Sequence, residues 1–229
     1  MLKSREGTRV KSKLEIVYLD IAGPEAVEMG ASEKYMLNLV DNFMSCSWTY
    51  TLKKKSIDVF KDWKALVESE SSLKLSIICT DSGGEYTSNQ FEAYLQHEGI
   101  RHQLTAPHTS AQNGKAERCH QTIMNHACMI QSDANLPLSL WGECVHAAGY
   151  LKKITTTRTL KDKTPHEAWY GRCPDVSHLH ELGCHVWILV MDKSPKIYNR
   201  SIECKLIGYS DNLKAYCCWD SQTGCIHVT

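Results

Sequence analysis

Hydrophobic and polar positions along the chain follow two different periods. Runs rich in β-branched and aromatic residues, which are typical of strands, occupy residues 14–20, 34–42, 45–52, 74–81 and 100–107. The second and third runs flank a short turn, which predicts an antiparallel hairpin. Apolar residues recur at helical spacing in 56–69, in 88–99, in a long segment that begins near Gln112 or Asn113, and in 138–154.

The order of these segments predicts the architecture of the first part of the chain. Strands followed by alternating helices and strands indicate a mixed sheet with helices packed on it. Ser56 is the expected N-cap of the first helix, Gly99 ends the second, and Pro137 lies in the first turn of the fourth. The order and number suit a ribonuclease-H-like α/β fold with five strands, of which the first three are antiparallel.

The pattern changes near residue 178. Short β-runs at 184–191, 203–210, 215–220 and 225–229 alternate with turn-forming segments, which predicts a small all-β barrel. The chain is therefore expected to divide into a basic arm at 1–13, an α/β core at 14–155, a linker with a short helix at 156–177, and the barrel at 178–229.

Composition and net charge do not decide whether the chain binds nucleic acid. The 26 basic and 26 acidic residues cancel, which argues mildly against a nucleic-acid partner because phosphate contacts need local positive charge. The basic residues nevertheless cluster in the arm, at 53–55 and at 152–163, on what is either a solvated surface or a nucleic-acid surface. No apolar run is long enough to cross a bilayer, and eleven cysteines without a CxxC pair indicate reduced thiols in an intracellular protein.

Three acidic residues have positions that suit a shared site. Asp20 closes the first predicted strand, Asp81 closes the fourth, and Glu117 lies one turn into the long helix. Strands one and four are neighbours in a ribonuclease-H-like sheet, and a helix laid across that edge would add Glu117. Each acid taken alone has an ordinary alternative as a cap or a surface charge.

Three carboxylates held together repel one another unless cations neutralise them. Oxygen ligands favour Mg²⁺ or Mn²⁺ over zinc. Two such cations, about 3.5–4 Å apart, support phosphodiester chemistry without a protein nucleophile. A fold that gathers the three acids would therefore create a site for two divalent cations.

The segment TDSGGEYTSNQFEAYLQHEGIRHQLTAPHTSAQNGKAER, residues 80–118, closely resembles the catalytic core of copia-type retrotransposon integrases. That family's pattern contains Asp-Asn-Gly-Gly-Glu-Tyr, then Gly-Ile-x-His, then Thr-Ala-Pro-x-Thr-Pro-Gln-Gln-Asn-Gly-x-Ala-Glu-Arg. The segments LDIAGP and CKLIGYSDNLKAYCCWDSQTG are similar to further blocks of the family, so the resemblance covers nearly the whole chain. It implies an integrase core followed by a Src-homology-3-like domain.

The resemblance implies a role for each of the three acids. Asp20, Asp81 and Glu117 match the family's metal-binding catalytic triad, with two Mg²⁺ or Mn²⁺ ions as cofactors. The implied activity is polynucleotidyl transfer of the DDE type, in which the element's DNA ends are trimmed and their 3′-hydroxyls attack target DNA. The implied partners are both DNAs and further copies of the chain in a homo-oligomer, without a membrane. The implied location is a cytoplasmic particle and then the nucleus.

The resemblance also identifies candidate DNA-binding residues on the long helix. Gln112, Asn113 and Arg118 match motif positions where related integrases face the DNA end. Lys115 adds a positive charge on the same turn, and its assignment to DNA is our own inference because the family varies there. Cys119 and His120 stand where the family has basic or polar residues, which thins the positive charge expected on this helix.

Two other functions stay open. A degenerate or domesticated copy that binds nucleic acid without catalysis is favoured by the zero net charge, by Cys119 and His120, and by the lack of an upstream His-His-Cys-Cys zinc module. A structure-selective nuclease would share the metal site. The histidines and the cysteine within 178–185 match no common zinc-finger spacing, and we expect them to be structural.

Overall fold

One mixed sheet forms the centre of the larger part of the molecule. The computed structural model describes residues 10–23, 33–54, 57–81, 88–104, 110–189, 201–210 and 215–229, with the backbone alone for 110–113. The strands are β1 (Ile16–Ala22), β2 (Tyr35–Asp41), β3 (Ser47–Leu52), β4 (Ile77–Thr80) and β5 (Arg101–Leu104), in the order β3-β2-β1-β4-β5. The first three pair antiparallel, and β4 runs parallel to β1 and to β5. The predicted five-stranded mixed sheet is confirmed.

The α-helices in the described residues are α1 (Asp58–Ser71), α2 (Asn89–His97), α3 (Ser110–Asp133), α4 (Trp141–Ile154) and α5 (Pro165–Tyr170). Helix α3 begins at Ser110, slightly before the predicted start near Gln112. Residues Leu138–Leu140 form a separate 3₁₀ turn before α4, because Pro137 has an extended backbone and its carbonyl accepts a hydrogen bond from the Leu140 amide at 3.0 Å. The predicted N-cap Ser56 lies outside the described residues.

Alternation along β1 sends its side chains into two different cores. Val17 and Leu19 are buried with residues of α1 and α2 on one face of the sheet. Tyr18 lies on the opposite face and packs against the cluster that α3 and α4 form. Because successive side chains of a strand point to opposite faces, Asp20 shares the face of Tyr18. The strand therefore directs Asp20 towards α3.

A second, smaller sheet lies near the end of the chain. It contains β6 (His185–Leu189), β7 (Ser201–Tyr209), β8 (Tyr216–Trp219) and β9 (Ile226–Val228), paired antiparallel in that order. Its inner face is centred on Cys204, Leu206 and Cys218, which are buried together. This sheet confirms the predicted all-β unit after the α/β core.

A β-bulge connects the small sheet to the larger part of the molecule. The register of β7 on β8 shifts between Leu206 and Gly208, so Ile207 is an extra residue. Its side chain is fully buried in the α3–α4 cluster. Nearby, the Lys205 ammonium donates a hydrogen bond to the Ala134 carbonyl at 2.9 Å. The small sheet is thereby packed directly on the end of α3 and on α4.

Helix α5 lies in the segment predicted as a linker and packs on the α/β core. Trp169 of α5 is buried, with its ring centroid 4.8 Å from that of Trp48. Lys13 donates a hydrogen bond of 2.5 Å to the Trp169 carbonyl and covers its indole ring. All eleven cysteines lie in the described residues and are free. No helix in the described part of the chain is both long and apolar enough to cross a membrane.

Candidate active site

The parallel register of β1 and β4 brings the segments of two predicted acids together. Ile16 pairs with Ile77, and Tyr18 pairs with Cys79. The pairing ends there, and Asp20 and Asp81 each lie two residues further along the chain. The charge of Asp81 raises the pKa of Asp20, so the two acids lie within electrostatic range of each other.

The two acids differ in how their strands hold them. Asp20 was predicted to close its strand, but β1 continues to Ala22 because its pairing with β2 extends to Ala22 and Met36. Asp81 directly follows the last residue of β4, as predicted. Asp20 therefore lies on a backbone that β2 fixes, at the point where β4 ends on its other side.

The third acid comes from α3, which crosses β1 and β2. Cys119 and Ile123 are buried in the cluster between α3, α4 and the sheet, and Ala116 is also fully buried. Glu117 lies next to this buried stripe and is exposed, so its carboxylate is at the rim of the helix–sheet contact. The helical spacing that buries Ala116 and Cys119 thus leaves Glu117 at the sheet edge.

The electrostatics of Asp20 link all three acids. Burial is the main cause that raises the pKa of Asp20 above its usual value, and the charges of Asp81 and Glu117 raise it further. His120 acts in the opposite direction and lowers the pKa of Asp20. Asp81 and Glu117 therefore both lie within electrostatic range of Asp20. Their charges raise the energy of ionised Asp20, and a bound cation would lower it.

The donor set suits a hard divalent cation, although the acids do not form a closed cage. Carboxylate oxygens are the preferred ligands of Mg²⁺ and Mn²⁺. Among the residues that the structure describes, no group of three or more His, Cys, Asp or Glu side chains is placed closely enough to hold a metal ion. The segments 82–87, after Asp81, and 105–109, before α3, lie outside the description.

The predicted DNA-binding residues occupy different environments. Lys115 is half-buried, and its ammonium donates hydrogen bonds to the Asn42 carbonyl and, at 3.3 Å, to the Asn42 side chain. Burial lowers the pKa of Lys115 to about 8. Arg118 is exposed, with its guanidinium folded back over Gly114. The side chains of Gln112 and Asn113 lie outside the described part. Of the four candidates, Arg118 presents its charge at the surface near Glu117.

Cys119 and His120 face the protein rather than the surface. Cys119 is buried in the α3–α4 cluster. His120 is half-buried, with its Nδ1 3.2 Å from the side-chain nitrogen of Asn38. These two departures from the family pattern therefore change the contact between α3 and the sheet more than the charge of an outer surface.

Sequence reasoning missed Asn38. It is fully buried between Leu37 and Leu39 of β2, and its Oδ1 accepts a hydrogen bond of 2.9 Å from the Thr49 hydroxyl. An amide inside an otherwise apolar strand was the signal that could have identified it, since a buried polar group requires partners. His178 and His185 also have separate partners, in the hydroxyl of Tyr150 at 2.7 Å and the carboxylate of Glu203 at 2.6 Å.

Comparisons with known proteins agree with the two-part fold. The family described as retroviral polymerase SH3-like domain matches residues 184–229. The Pol polyprotein of transposon TNT 1-94 from Nicotiana tabacum is 38% identical over 210 residues, which are 90% of this chain and 16% of that protein. The Pol polyprotein of transposon RE2 from Arabidopsis thaliana is 30% identical over 220 residues, or 94% of this chain and 15% of that protein.

Solved structures show the same fold. The simian T-cell lymphotropic virus intasome in complex with PP2A regulatory subunit B56 gamma matches with a TM-score of 0.55 and 16% identity, covering 94% of this chain and 75% of that one. The HTLV-2 integrase catalytic core domain in complex with magnesium, in its trimeric form, has a TM-score of 0.51 and 18% identity, covering 68% of this chain and 95% of that one.

The chain spans about one sixth of the length of the curated relatives it matches. Within that span both parts of the fold have counterparts, the mixed sheet in integrase cores and the small sheet in the SH3-like family. By its sequence the chain belongs to the Pol polyproteins of copia-type transposons, and it corresponds to their integrase-like core followed by the SH3-like domain.

Proposed function

We propose that the chain is the catalytic part of an integrase and performs metal-dependent DNA strand transfer. The observation that carries this proposal is the position of Asp20 on β1, beside the end of β4 that Asp81 follows and under α3, which carries Glu117. Asp20 and Asp81 would hold one divalent cation, and Asp20 with Glu117 would hold the other. Mg²⁺ and Mn²⁺ fit these oxygen donors.

When bound, such cations would activate an oxygen nucleophile and stabilise the departing oxygen of a phosphodiester. The side chains of the protein would hold the cations and position the DNA. Asp20, fixed by the β1–β2 pairing, provides the central carboxylate. Asp81 and Glu117 approach it from β4 and α3, and the exposed guanidinium of Arg118 lies one residue from Glu117, where it can contact a DNA phosphate.

The proposed substrates are the DNA ends of the element and a target duplex. Trimming of each end is hydrolysis, and the 3′-hydroxyl that it exposes then attacks a target phosphodiester. One relative by fold is part of a viral intasome, and the HTLV-2 core domain was solved in trimeric and dimeric forms. We therefore propose that the active form is a homo-oligomer that holds two DNA ends and acts in the nucleus, after assembly in a cytoplasmic particle.

A second candidate function is DNA binding without catalysis, by a degenerate or domesticated copy. One observation favours it: the three acids, within the described residues, do not form a group close enough to hold a metal ion. Such a copy would still bind DNA through the surface of α3, but it would no longer bind divalent cations.

Strand transfer by the purified chain separates the two candidates. With Mn²⁺ and a branched DNA substrate, we expect activity in the parent and a loss of more than about 100-fold in Asp81→Asn. Asp133→Asn, an exposed acid at the end of α3, is the matched control and should keep full activity. An Asp81→Asn protein as active as the parent would refute the assignment of the triad. DNA binding with no response of the melting temperature to Mn²⁺ would favour the second candidate.

A further inference from the structure

The residue before Asp81 takes part in a chain of polar contacts behind the candidate site. Thr80 is fully buried, and its hydroxyl lies 2.8 Å from the Nε2 of His102 and 3.0 Å from the carbonyl oxygen of Asp81. Ile78 pairs with His102 across β4 and β5, and Thr80 is two residues further along the same face. The contact is therefore a diagonal pair on the α1–α2 face of the sheet, opposite to α3.

His102 is itself held on two sides. Its Nδ1 lies 2.5 Å from the Oε1 of Glu92 on α2, and its side chain is only 6% exposed. The ring stands edge-on to Phe91, with centroids 5.7 Å apart and an interplanar angle of 88°. The packing against Phe91 and the contact with Glu92 thus fix the position and the plane of the imidazole, independently of Thr80.

A count of protons shows how the contacts combine. The Glu92 carboxylate only accepts, so Nδ1 of His102 must carry a proton. If Nε2 also carries one, it donates to the Thr80 hydroxyl, which is then free to donate to the Asp81 carbonyl. In that protonation state each contact is a hydrogen bond whose donor lies on the imidazole side: Nδ1 donates to Glu92, Nε2 donates to the Thr80 hydroxyl, and that hydroxyl donates to the Asp81 carbonyl.

We infer that His102 is a positioning residue, which acts through Thr80 to fix the backbone of Asp81. This inference rests on the proposed function, because it assigns a purpose to the exact placement of the Asp81 carboxylate. The pairing of β4 with β1 ends at Cys79, and that with β5 ends at Thr80, so Asp81 follows the last paired residue of β4. The contacts from Glu92 through His102 to Thr80 restrain this backbone from the α1–α2 face of the sheet.

A substitution series at Thr80 tests the inference on the full chain. Thr80→Val keeps the shape and the strand preference of threonine and removes its hydroxyl, whereas Thr80→Ser restores the hydroxyl. Residues that orient metal ligands typically change metal affinity by about 10–100-fold. We therefore expect Thr80→Val to weaken Mn²⁺ binding, measured by calorimetry, by about 10-fold, and Thr80→Ser to bind as the parent does. Thr155→Val, which removes a hydroxyl bonded to the Leu151 carbonyl at the end of α4, is the control and should bind as the parent does.

The outcomes separate this inference from the proposed function. Mn²⁺ binding by Thr80→Val equal to that of the parent overturns the inference, whether or not the parent transfers strands. Mn²⁺ binding that is weakened in Thr80→Val and restored in Thr80→Ser supports the inference. If the parent and the variants also fail to transfer strands, only the proposed function is refuted. A parent that binds no Mn²⁺ overturns both.

A spectroscopic measurement tests the same chain of contacts without metal. The ¹⁵N signals of the His102 ring should show a protonated Nδ1 in the parent, since Glu92 can only accept. Glu92→Ala should change those signals and also weaken Mn²⁺ binding. An Nδ1 without a proton in the parent would overturn the inference.

Discussion

Asn38 lies directly opposite Asp20 in the antiparallel pairing of β1 with β2. Its side-chain amide is engaged at both ends, by the Thr49 hydroxyl at 2.9 Å and by the His120 ring at 3.2 Å. The β2 side of Asp20 therefore faces an amide held by two contacts, and one of its partners, His120, lowers the pKa of Asp20. On its other side it meets the charges of Asp81 and Glu117. This asymmetry leaves Asp20 as a carboxylate that is restrained in place and yet electrostatically unfavourable.

Removal of the Asp20 charge should stabilise the metal-free protein. Burial and the two neighbouring acids raise the pKa of Asp20, which means that its ionised form destabilises the fold at neutral pH. We expect Asp20→Asn to increase the free energy of unfolding by about 1 kcal/mol, which corresponds to a few degrees in melting temperature. The same variant should lose the stabilisation that Mn²⁺ gives to the parent. Thermal unfolding with and without Mn²⁺ measures both effects.

The matched control for Asp20→Asn is Asp133→Asn, because Asp133 is exposed at the end of α3. It should leave the melting temperature and its response to Mn²⁺ unchanged. A metal-free Asp20→Asn protein that is less stable than the parent would show that Asp20 is a structural acid with favourable partners.

A buried ion-pair group between α1 and α2 should contribute to stability in a pH-dependent way. Burial alone raises the pKa of Glu68, but hydrogen bonds from Lys74, the Leu75 amide and Lys64 outweigh it and lower the pKa below 4.5. Its contribution is therefore complete above pH 4.5 and is lost as the pH falls through the lower folded value. We expect Glu68→Gln to reduce the free energy of unfolding by about 1–3 kcal/mol at pH 7. That difference should shrink towards pH 3.

Urea unfolding across this pH range measures the effect. Glu70→Gln is the control, since Glu70 lies on the same helix with an exposed side chain. A constant difference between parent and Glu68→Gln from pH 7 to pH 3 would mean that the carboxylate charge is not what stabilises this region.

The bulge residue Ile207 should couple the small sheet to the α/β core. Its side chain is fully buried against α3 and α4, so Ile207→Ala leaves a cavity between the two parts. Such substitutions typically cost about 2–5 kcal/mol. We expect a loss in this range and, because the contact is shared, a single unfolding transition that moves as a whole.

Ile226→Ala provides the comparison, because Ile226 lies in the same small sheet and is 39% exposed. Its loss should be well below that of Ile207→Ala. Two separate unfolding transitions in the parent, with only the weaker one shifted by Ile207→Ala, would contradict the coupling.

The sequence anticipated those features that depend on local pattern. The period of apolar residues predicted the strands of the mixed sheet, because each strand must bury one or both faces, and the succession of strands and helices suited a ribonuclease-H-like arrangement. It failed at Pro137, where a 3₁₀ turn replaces the first turn of α4, and at the end of β1. That strand continues past Asp20 because β2 happens to pair with it that far. A strand boundary is set by its partner strand, which a single segment does not contain.

The side chains of α3 also show which features the sequence predicts and which the tertiary structure determines. Lys115, Arg118 and Cys119 lie within about one helical turn. The sequence predicts that they share one DNA-facing surface, on which Cys119 reduces the positive charge. The structure directs Lys115 to Asn42 and buries Cys119, while Arg118 is exposed. The direction of each side chain follows from the rotation of the helix on the sheet, and many distant contacts determine that rotation.

By itself, then, the sequence determined the types of secondary structure and the three acids with their spacing, since these follow from local period and from motif. Only the tertiary structure decided the register of β1 on β4, which brings Asp20 and Asp81 close together, and the contact of Thr80 with His102 behind them. The physical reason is that both relationships depend on pairing between strands that are far apart in the chain, which becomes definite only when the whole sheet forms.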